Sequence, residues 1–255
     1  MTLLYDTISL YQRGLTKLVR NPTLLATYLV EPVAFLVLFS QMFTKLGEFL
    51  PNTPGGYVAY LTPGIFVFCA LIASPQGGVS MINDINSGFL SKVLLTQSSR
   101  SAILLGRLLT DVTQVIAEAI ITIVTALVMG VTFSAGVPGI LLIFLTIALF
   151  EMALSGLFLS IGIATKKTET LSAVSGVLYL PLIFLSTAMF PSSFIPGWAN
   201  TFSNYNPVTY VSEVARGLVS GGLSYTALVD AYLLTGAIAL VTFAATLYQF
   251  RKVVG

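Results

Sequence analysis

The sequence has 255 residues, of which 56% are hydrophobic and only 9% charged, whereas about 25% of the residues in a typical soluble domain are charged. This composition excludes a soluble globular protein and indicates an integral membrane protein. The formal net charge of +2 is too small to indicate a nucleic-acid partner. The sequence has no histidine, which argues against zinc or imidazole chemistry, and its single cysteine, Cys69, excludes an internal disulfide.

The N-terminal residues 1–20 have the pattern of an amphipathic helix that lies in the membrane interface. Leu4 and Ile8 fall on one helical face, whereas Arg13 and Lys17 fall elsewhere. A cleaved signal peptide is the alternative, but its charged region would be unusually long and no small-residue cleavage site follows the first apolar run. We therefore expect the N-terminus to be retained.

Six apolar segments are long enough to span a membrane, since about 20 apolar residues cross the hydrocarbon core. They cover residues 22–44, 57–82, 108–131, 139–164, 171–190 and 227–250. Pro63 and Pro75 predict that the second segment is bent or broken. The fold class is therefore all-α, and residues 1–255 form a single membrane domain of six transmembrane helices with no soluble domain.

A polar and basic stretch, residues 83–107, interrupts the apolar segments between the second and third spans. Ile85, Phe89 and Val93 recur there at helical spacing, with polar residues at the other positions. This pattern predicts one short amphipathic helix over residues 83–98, followed by a turn with capping serines. A small helix held at the membrane surface suggests a contact with another protein.

Six spans place both termini on one side of the membrane, and the basic residues indicate which side. Ten of the twelve lysines and arginines fall on the side of the termini, and only Lys45 and Arg216 fall on the other. By the positive-inside rule, the termini and residues 83–107 are cytoplasmic. We expect a multi-pass protein of the cell membrane, meaning the plasma or inner membrane.

The outer segment between the last two spans, residues 191–225, is too polar to cross the membrane. Its aromatic residues, including Trp198, suit the boundary between membrane and water. Two interpretations are open for this segment, since it either shapes an exit for a transported compound or caps the helix bundle.

Carboxyl groups occur inside the predicted spans. A single face of the third span carries polar residues at steps of three and four, namely Arg107, Asp111, Gln114, Glu118, Thr122 and Thr125. Glu118 and Glu151 lie near mid-membrane, where a charged carboxylate costs roughly 2.5–3.5 kcal/mol on insertion scales. They form either a polar pathway or structural hydrogen bonds between helices. The spacing of Arg107 and Asp111 predicts an ion pair at the membrane boundary.

The motifs of common enzymes are absent from the sequence. No GxxxxGK[ST] phosphate loop, HExxH or GxSxG occurs. We assign no catalytic residue and no metal site, and the chain does not hydrolyse ATP alone. An intramembrane enzyme that uses paired carboxylates remains an alternative.

Two segments and their spacing carry a resemblance to ABC-2 type transporter permeases. In residues 84–111 the matching positions are Asp84, Gly88, Leu94, Ser99, Arg100, Gly106 and Arg107. In the outer segment they are Pro191, Pro196, Trp198, Asn206, Pro207, Tyr210 and Arg216. The stretch YLTPGIFVF in the second span is also similar to the family. Gln97 departs from the family pattern, which usually has proline there, and Asn86 and Ser91 replace residues that are often charged.

The resemblance implies a transmembrane subunit that pairs with a separate ATP-binding subunit, usually two of each. It also implies that residues 83–98 form the coupling helix. The residues expected to couple to the ATPase are Asp84, Gly88, Phe89, Leu90, Leu94, Ser99 and Arg100. This chain then binds no cofactor itself, and ATP and Mg are bound by the partner subunit. We expect a homodimer whose copies meet along the first and fifth spans in the lipid membrane.

The function that the resemblance implies is export of an amphipathic or lipid-linked compound, and the pattern is closest to drug and polyketide resistance permeases. The alternative from another class is a secondary transporter driven by an ion gradient through Asp111, Glu118 and Glu151. A structural or immunity-type membrane protein is the third possibility.

Overall fold

The computed structural model describes residues 3–49, 55–95 and 99–254, and within them the regular secondary structure is entirely helical. The α-helices are α1 (Leu3–Val19), α2 (Pro22–Met42), α3 (Gly56–Asn86), α4 (Phe89–Leu94), α5 (Arg100–Val128), α6 (Gly136–Thr165), α7 (Thr168–Phe184), α8 (Gly197–Ser203), α9 (Pro207–Ser220) and α10 (Tyr225–Val254). Two short 3-10 helices cover Thr44–Phe49 and Ser192–Phe194.

Within the described residues, five helices are long and apolar enough to cross a membrane, namely α2, α3, α5, α6 and α10. They correspond to the first four predicted spans and the last one. The predicted fifth span, residues 171–190, is helical only to Phe184, and α7 has 17 residues. At 1.5 Å per residue α7 is about 26 Å long, slightly less than the hydrocarbon thickness of about 30 Å.

Helix α3 is the centre of the bundle and packs against α5, α6, α7 and α9. Pro63 and Pro75 lie inside it, yet the helix continues from Gly56 to Asn86 and is not broken at either proline. Both prolines are buried by neighbouring helices, which is the setting in which a membrane helix tolerates proline. The second span therefore connects the two sides of the bundle without interruption.

The chain leaves helical geometry after α7 because other helices bind the carbonyl groups of residues 182–189. Asn206 Nδ2 donates to the carbonyls of Leu182 and Leu185, at 2.8 and 2.7 Å. Tyr57 Oη donates to the carbonyl of Met189, at 2.9 Å. Irregular backbone at membrane depth is tolerated only where the protein satisfies its polar groups. The fifth predicted span is therefore shortened by tertiary hydrogen bonds.

The prediction of one helix over residues 83–98 is wrong. Helix α3 runs to Asn86, Gly88 has a φ of 71° in the left-handed region, and the separate helix α4 begins at Phe89. Glycine reaches this conformation at no steric cost, so Gly88 is where the chain turns. Residues 96–98, which include Gln97, lie outside the described residues. Ser99 caps α5, as expected, by accepting a hydrogen bond from the backbone N–H of Ala102 at 3.1 Å.

Helix α1 packs along α5 through small residues. Gly106 lies against α1, because a Cβ added there would be 2.9 Å from Leu10 Cβ and 3.1 Å from the Thr7 carbonyl oxygen. Gly14 lies closer still to the Thr110 side chain. The exposed side of α1 carries Leu4, Ile8 and other apolar residues. The helix is therefore fixed to the bundle, and its location in the membrane interface stays a prediction.

Part of the outer segment, residues 191–225, belongs to the hydrophobic core. Helix α9 packs against α3, α6 and α10. One of its faces is almost completely buried and carries Val208, Val211, Val214, Ala215, Leu218 and Val219. Helix α8 is different, since its Trp198 and Phe202 are 66% and 61% exposed. Of the two interpretations left open for this segment, capping describes α8 better than α9, which is inserted into the bundle.

Candidate functional site

The polar end of the bundle that is predicted to be cytoplasmic joins α1, α3 and α4 through one arginine. Arg13 donates two hydrogen bonds to the Asp84 carboxylate, at 3.1 and 3.2 Å, and its guanidinium carbon lies 3.4 Å from the centre of the Phe89 ring. Lys17 Nζ lies 3.7 Å from Asp84 and donates to Ser80 Oγ at 3.1 Å. Sequence reasoning missed this role of Arg13, because no local pattern shows that it meets Asp84, 71 positions further along the chain.

The residues predicted to couple to an ATPase have different degrees of exposure. Leu90 is only 4% exposed and packs with Met81 and Ile103 in the core, so its side chain is not available to a partner. The exposed face of α4 carries Ser91 and Lys92 instead. Leu95, the C-cap residue of α4, is 89% exposed.

The remaining coupling residues are placed close together but are only partly exposed. Asp84, Gly88, Phe89, Leu94, Ser99 and Arg100 are all half-buried. Asp84 and Phe89 contact Arg13, and Ser99 caps α5. The side chains with most free surface at this end are therefore ones that the sequence did not single out.

The polar face of α5 points into the bundle. Arg107 Nη2 lies 2.7 Å from Asp111 Oδ1, so the ion pair that the spacing predicts is present. Helix α5 begins at Arg100, however, so Arg107 lies two turns inside the helix and its side chain is 17% exposed. The pair is therefore more buried than the predicted membrane boundary would make it, and α5 starts eight residues before the predicted span.

The two mid-membrane carboxyl groups have different partners. Glu151 is fully buried and accepts hydrogen bonds from Ser74 of α3, at 2.9 Å, and from Ser155 of α6, at 2.6 Å. Glu118 accepts from Gln114, one turn away on its own helix, at 3.1 Å. Glu151 therefore makes the kind of interhelical bond that was one of its two predicted roles, whereas Glu118 is bonded within α5.

A second polar cluster lies at the other end of the bundle, around Arg216 of α9. Its guanidinium lies over the Tyr60 ring, 3.8 Å from the ring centre, and donates to the carbonyl of Thr187 at 2.8 Å and to Glu213 Oε1 at 2.7 Å. Tyr60 Oη also donates to the Thr187 carbonyl, at 2.8 Å. Arg216 was predicted from the sequence, but Tyr60 and Glu213 were not, because no local pattern shows that they meet.

The other predicted outer residues are at the ends of short helices. Pro191 precedes the 3-10 helix, Pro196 precedes α8, and Pro207 is the first residue of α9. Asn206 caps α9 while its amide binds the end of α7. Beside α8, an apolar cavity of about 460 Å³ is lined by aromatic residues that include Phe43, Phe184, Phe190 and Trp198.

Among the residues that the structure describes, no group of three or more histidine, cysteine, aspartate and glutamate side chains could hold a metal ion. The described part of the chain therefore offers a bundle of apolar helices with buried polar contacts at both ends. These properties define a multi-pass membrane protein.

The chain belongs to the ABC-2 type transporter family, whose model matches residues 5–219. It is 26% identical to the daunorubicin resistance ABC transporter permease protein DrrB1 of Streptomyces coeruleorubidus, over 78% of this chain and 70% of that protein. It is 29% identical to the putative transport permease ycf38 of Cyanophora paradoxa, over 83% and 73%. It is 22% identical to the probable doxorubicin resistance ABC transporter permease protein DrrC of Mycobacterium tuberculosis (strain ATCC 25618 / H37Rv), over 94% and 86%.

Proposed function

We propose that this chain is the permease subunit of an ATP-driven exporter that moves an amphipathic or lipid-linked compound. The observation that carries the proposal is the family match over most of the chain, together with relatives named as drug resistance permeases. Because the sequence has no phosphate loop, ATP and Mg are bound by a separate ATP-binding subunit. The multi-pass topology is completed by α7, with both termini on the cytoplasmic side of the cell membrane.

The route by which ATP hydrolysis acts on the permease passes through α4. Its exposed residues Lys92 and Leu95 form the contact with the ATPase, and its buried Leu90 transmits force to the core. Arg13 ties α1 to both α3 and α4. Since α3 is continuous across the bundle, a tilt of this end moves the other end as well.

The double variant Lys92→Ala/Leu95→Ala is expected to retain about tenfold less ATPase than wild type when the permease is purified in detergent with the ATPase encoded nearest to its gene. A tenfold loss corresponds to about 1.4 kcal/mol, which is about 0.7 kcal/mol for each of two exposed contacts outside the hot spots of an interface. Neither side chain is in the core, so the variant is expected to fold normally. The bound ATPase is measured by quantitative immunoblotting.

The matched control is Lys167→Ala, which removes one exposed lysine from the other predicted cytoplasmic loop. Equal ATPase retention in the double variant and wild type would contradict the placement of the contact on α4. If wild type binds no ATPase, and transport is lost when the proton gradient is collapsed with ATP intact, the ion-gradient transporter is the better interpretation.

The dimer that we propose uses the lipid-facing sides of α2 and α7. Helix α2 is exposed at Leu29, Val30 and Leu38, and α7 at Val177 and Leu180, with exposures of 50 to 72%. Apolar side chains of this kind face either lipid or another membrane helix. A second copy that packs on these two helices would place a translocation path between the copies.

Cysteines introduced at Leu38 and Leu180 are expected to form disulfides between two copies in membranes under mild oxidation. The native Cys69 is buried and does not interfere. Leu240→Cys, on α10 and 73% exposed, is the control that is expected to remain uncrosslinked. Dimer bands on non-reducing gels measure the outcome, and crosslinking at Leu240 as strong as at Leu38 would contradict this interface.

A further inference from the structure

A polar cavity of about 220 Å³ lies between α1, α2, α3 and α5, at the end of the bundle that carries Arg13. Liquid water occupies about 30 Å³ per molecule, so the cavity has room for about seven waters or for one compact polar group. It adjoins a smaller recess of about 40 Å³ beside Asp84 and Phe89. The exposed side chains of Gln76 and Asn83 lie at its rim, so the cavity opens to the outside of the bundle.

The charged residues that line this cavity are both cations. Lys17 and Arg107 contribute to its wall, and none of the described residues that line it is acidic. Two acidic groups that face these cations lie beside the cavity. Asp84 accepts two hydrogen bonds from Arg13, and Asp111 forms an ion pair with Arg107. A third carboxylate, Glu118, does not line the cavity but accepts a hydrogen bond from the lining residue Gln114. The region as a whole therefore has no excess charge. The cations line the cavity and the carboxylates do not, so an anion bound there would contact Lys17 and Arg107.

Uncharged hydrogen-bond donors complete the polar wall. They come from α2 with its N-cap, from α3 and from α5, and are Asn21, Tyr28, Gln76, Ser80, Asn83 and Gln114, of which Gln114 also donates to Glu118. An acceptor with several oxygens can bind several of these donors together with the two cations.

The cavity also has an apolar side. Leu18 of α1, Leu24 of α2 and Val79 of α3 line it, and α2 continues from there as a largely exposed apolar helix. A ligand with an anionic head and an apolar chain can therefore place the head between Lys17 and Arg107 and lay its chain along α2. Basic pockets between membrane helices on the cytoplasmic side recognise phosphate headgroups in this way.

We propose that this cavity binds the phosphate headgroup of an anionic membrane lipid from the leaflet in which α1 lies. The site goes beyond the proposed transport function, because it depends neither on the transported compound nor on the ATPase. The bound lipid bridges α1, α3 and α5, and so it strengthens the same unit that Arg13 holds together.

The test is native mass spectrometry of the full chain in detergent, titrated separately with phosphatidylglycerol, phosphatidylcholine and inorganic phosphate. Wild type is expected to bind phosphatidylglycerol at least about tenfold more tightly than phosphatidylcholine. Lys17→Met is expected to lose about tenfold of this affinity, because one charge-assisted bond is removed. Lys17→Arg is expected to restore most of it. The Lys17 side chain is 51% exposed, so the methionine variant is expected to fold, and its melting temperature checks this.

The matched control is Arg20→Met, which removes an exposed cation just beyond the end of α1 that does not line the cavity. It is expected to bind phosphatidylglycerol within about twofold of wild type, because exposed charges contribute little. Equal losses in the two methionine variants would show diffuse surface attraction and overturn the proposal. Equal affinity for the two lipids would overturn it as well. If inorganic phosphate binds as tightly as the anionic lipid, the ligand is a free anion and the lipid assignment is wrong.

Discussion

An Arg107→Leu variant is expected to lose about 3–5 kcal/mol of unfolding free energy, because the change leaves the Asp111 carboxylate buried without its counter-charge. Asp111 is 3% exposed, and its Oδ1 lies 2.7 Å from Arg107 Nη2. It has no room to move, since Asp111 Oδ2 lies against Gly77 of α3, where an added Cβ would overlap it. Unfolding in a denaturing detergent, followed by circular dichroism, measures the loss.

The double variant Arg107→Leu/Asp111→Leu is expected to be more stable than Arg107→Leu alone. Replacing both members of a buried ion pair by apolar residues is often close to neutral, whereas removing one member is strongly destabilising. Arg251→Leu, at an exposed position near the end of α10, is the control and is expected to change stability by less than about 0.5 kcal/mol. A double variant less stable than the single one would show that Arg107 stabilises the bundle by something other than neutralising Asp111.

An Arg216→Leu variant is expected to lose about 2–4 kcal/mol of unfolding free energy. The change removes a charge-assisted bond to the Thr187 carbonyl and the stacking of the guanidinium on Tyr60. It also releases the irregular segment after α7, whose carbonyls need partners at membrane depth. We expect faster proteolysis within residues 185–190, measured by limited digestion and mass spectrometry, together with a lower unfolding midpoint.

The Arg216→Lys variant tests whether the charge of Arg216 or the planar shape of its guanidinium stabilises the protein. An ammonium group cannot donate to Glu213 and the Thr187 carbonyl in the planar arrangement of a guanidinium, so lysine is expected to recover less than half of the loss. Lys45→Leu is the control, because it removes the other basic residue of the predicted outer side at an exposed position. Full recovery with lysine would show that only the charge of Arg216 matters.

The positions of the long helices could be predicted from the sequence, because a long apolar segment in a membrane satisfies its backbone hydrogen bonds as a helix. The predicted third and fourth spans fall within α5 and α6, apart from three residues beyond the end of α5. The exact ends were less predictable. The eight residues before Leu108, which include Arg100 and Arg107, belong to α5, because Arg107 pairs with Asp111 one turn further on and Ser99 supplies the cap.

The candidate site was predicted in location but not in detail. Residues 83–107 were recognised as an element of their own, yet Gly88 divides it and the core buries Leu90. The contact between Arg13 and Asp84 joins residues 71 positions apart. Helical periodicity describes neighbours three or four residues away, so it carries no information on such a pair.

The sequence by itself determined that this protein is an all-helical membrane protein and carried its family resemblance, since composition, apolar length and short motifs are local properties. The tertiary structure decided which polar residues are paired and where α7 stops. It also placed Lys17 and Arg107 in one cavity and turned Leu95 outward. These outcomes depend on contacts between helices far apart in the chain. A polar group buried in a membrane bundle is costly without a hydrogen-bond partner, so the bundle is stable only when these contacts form.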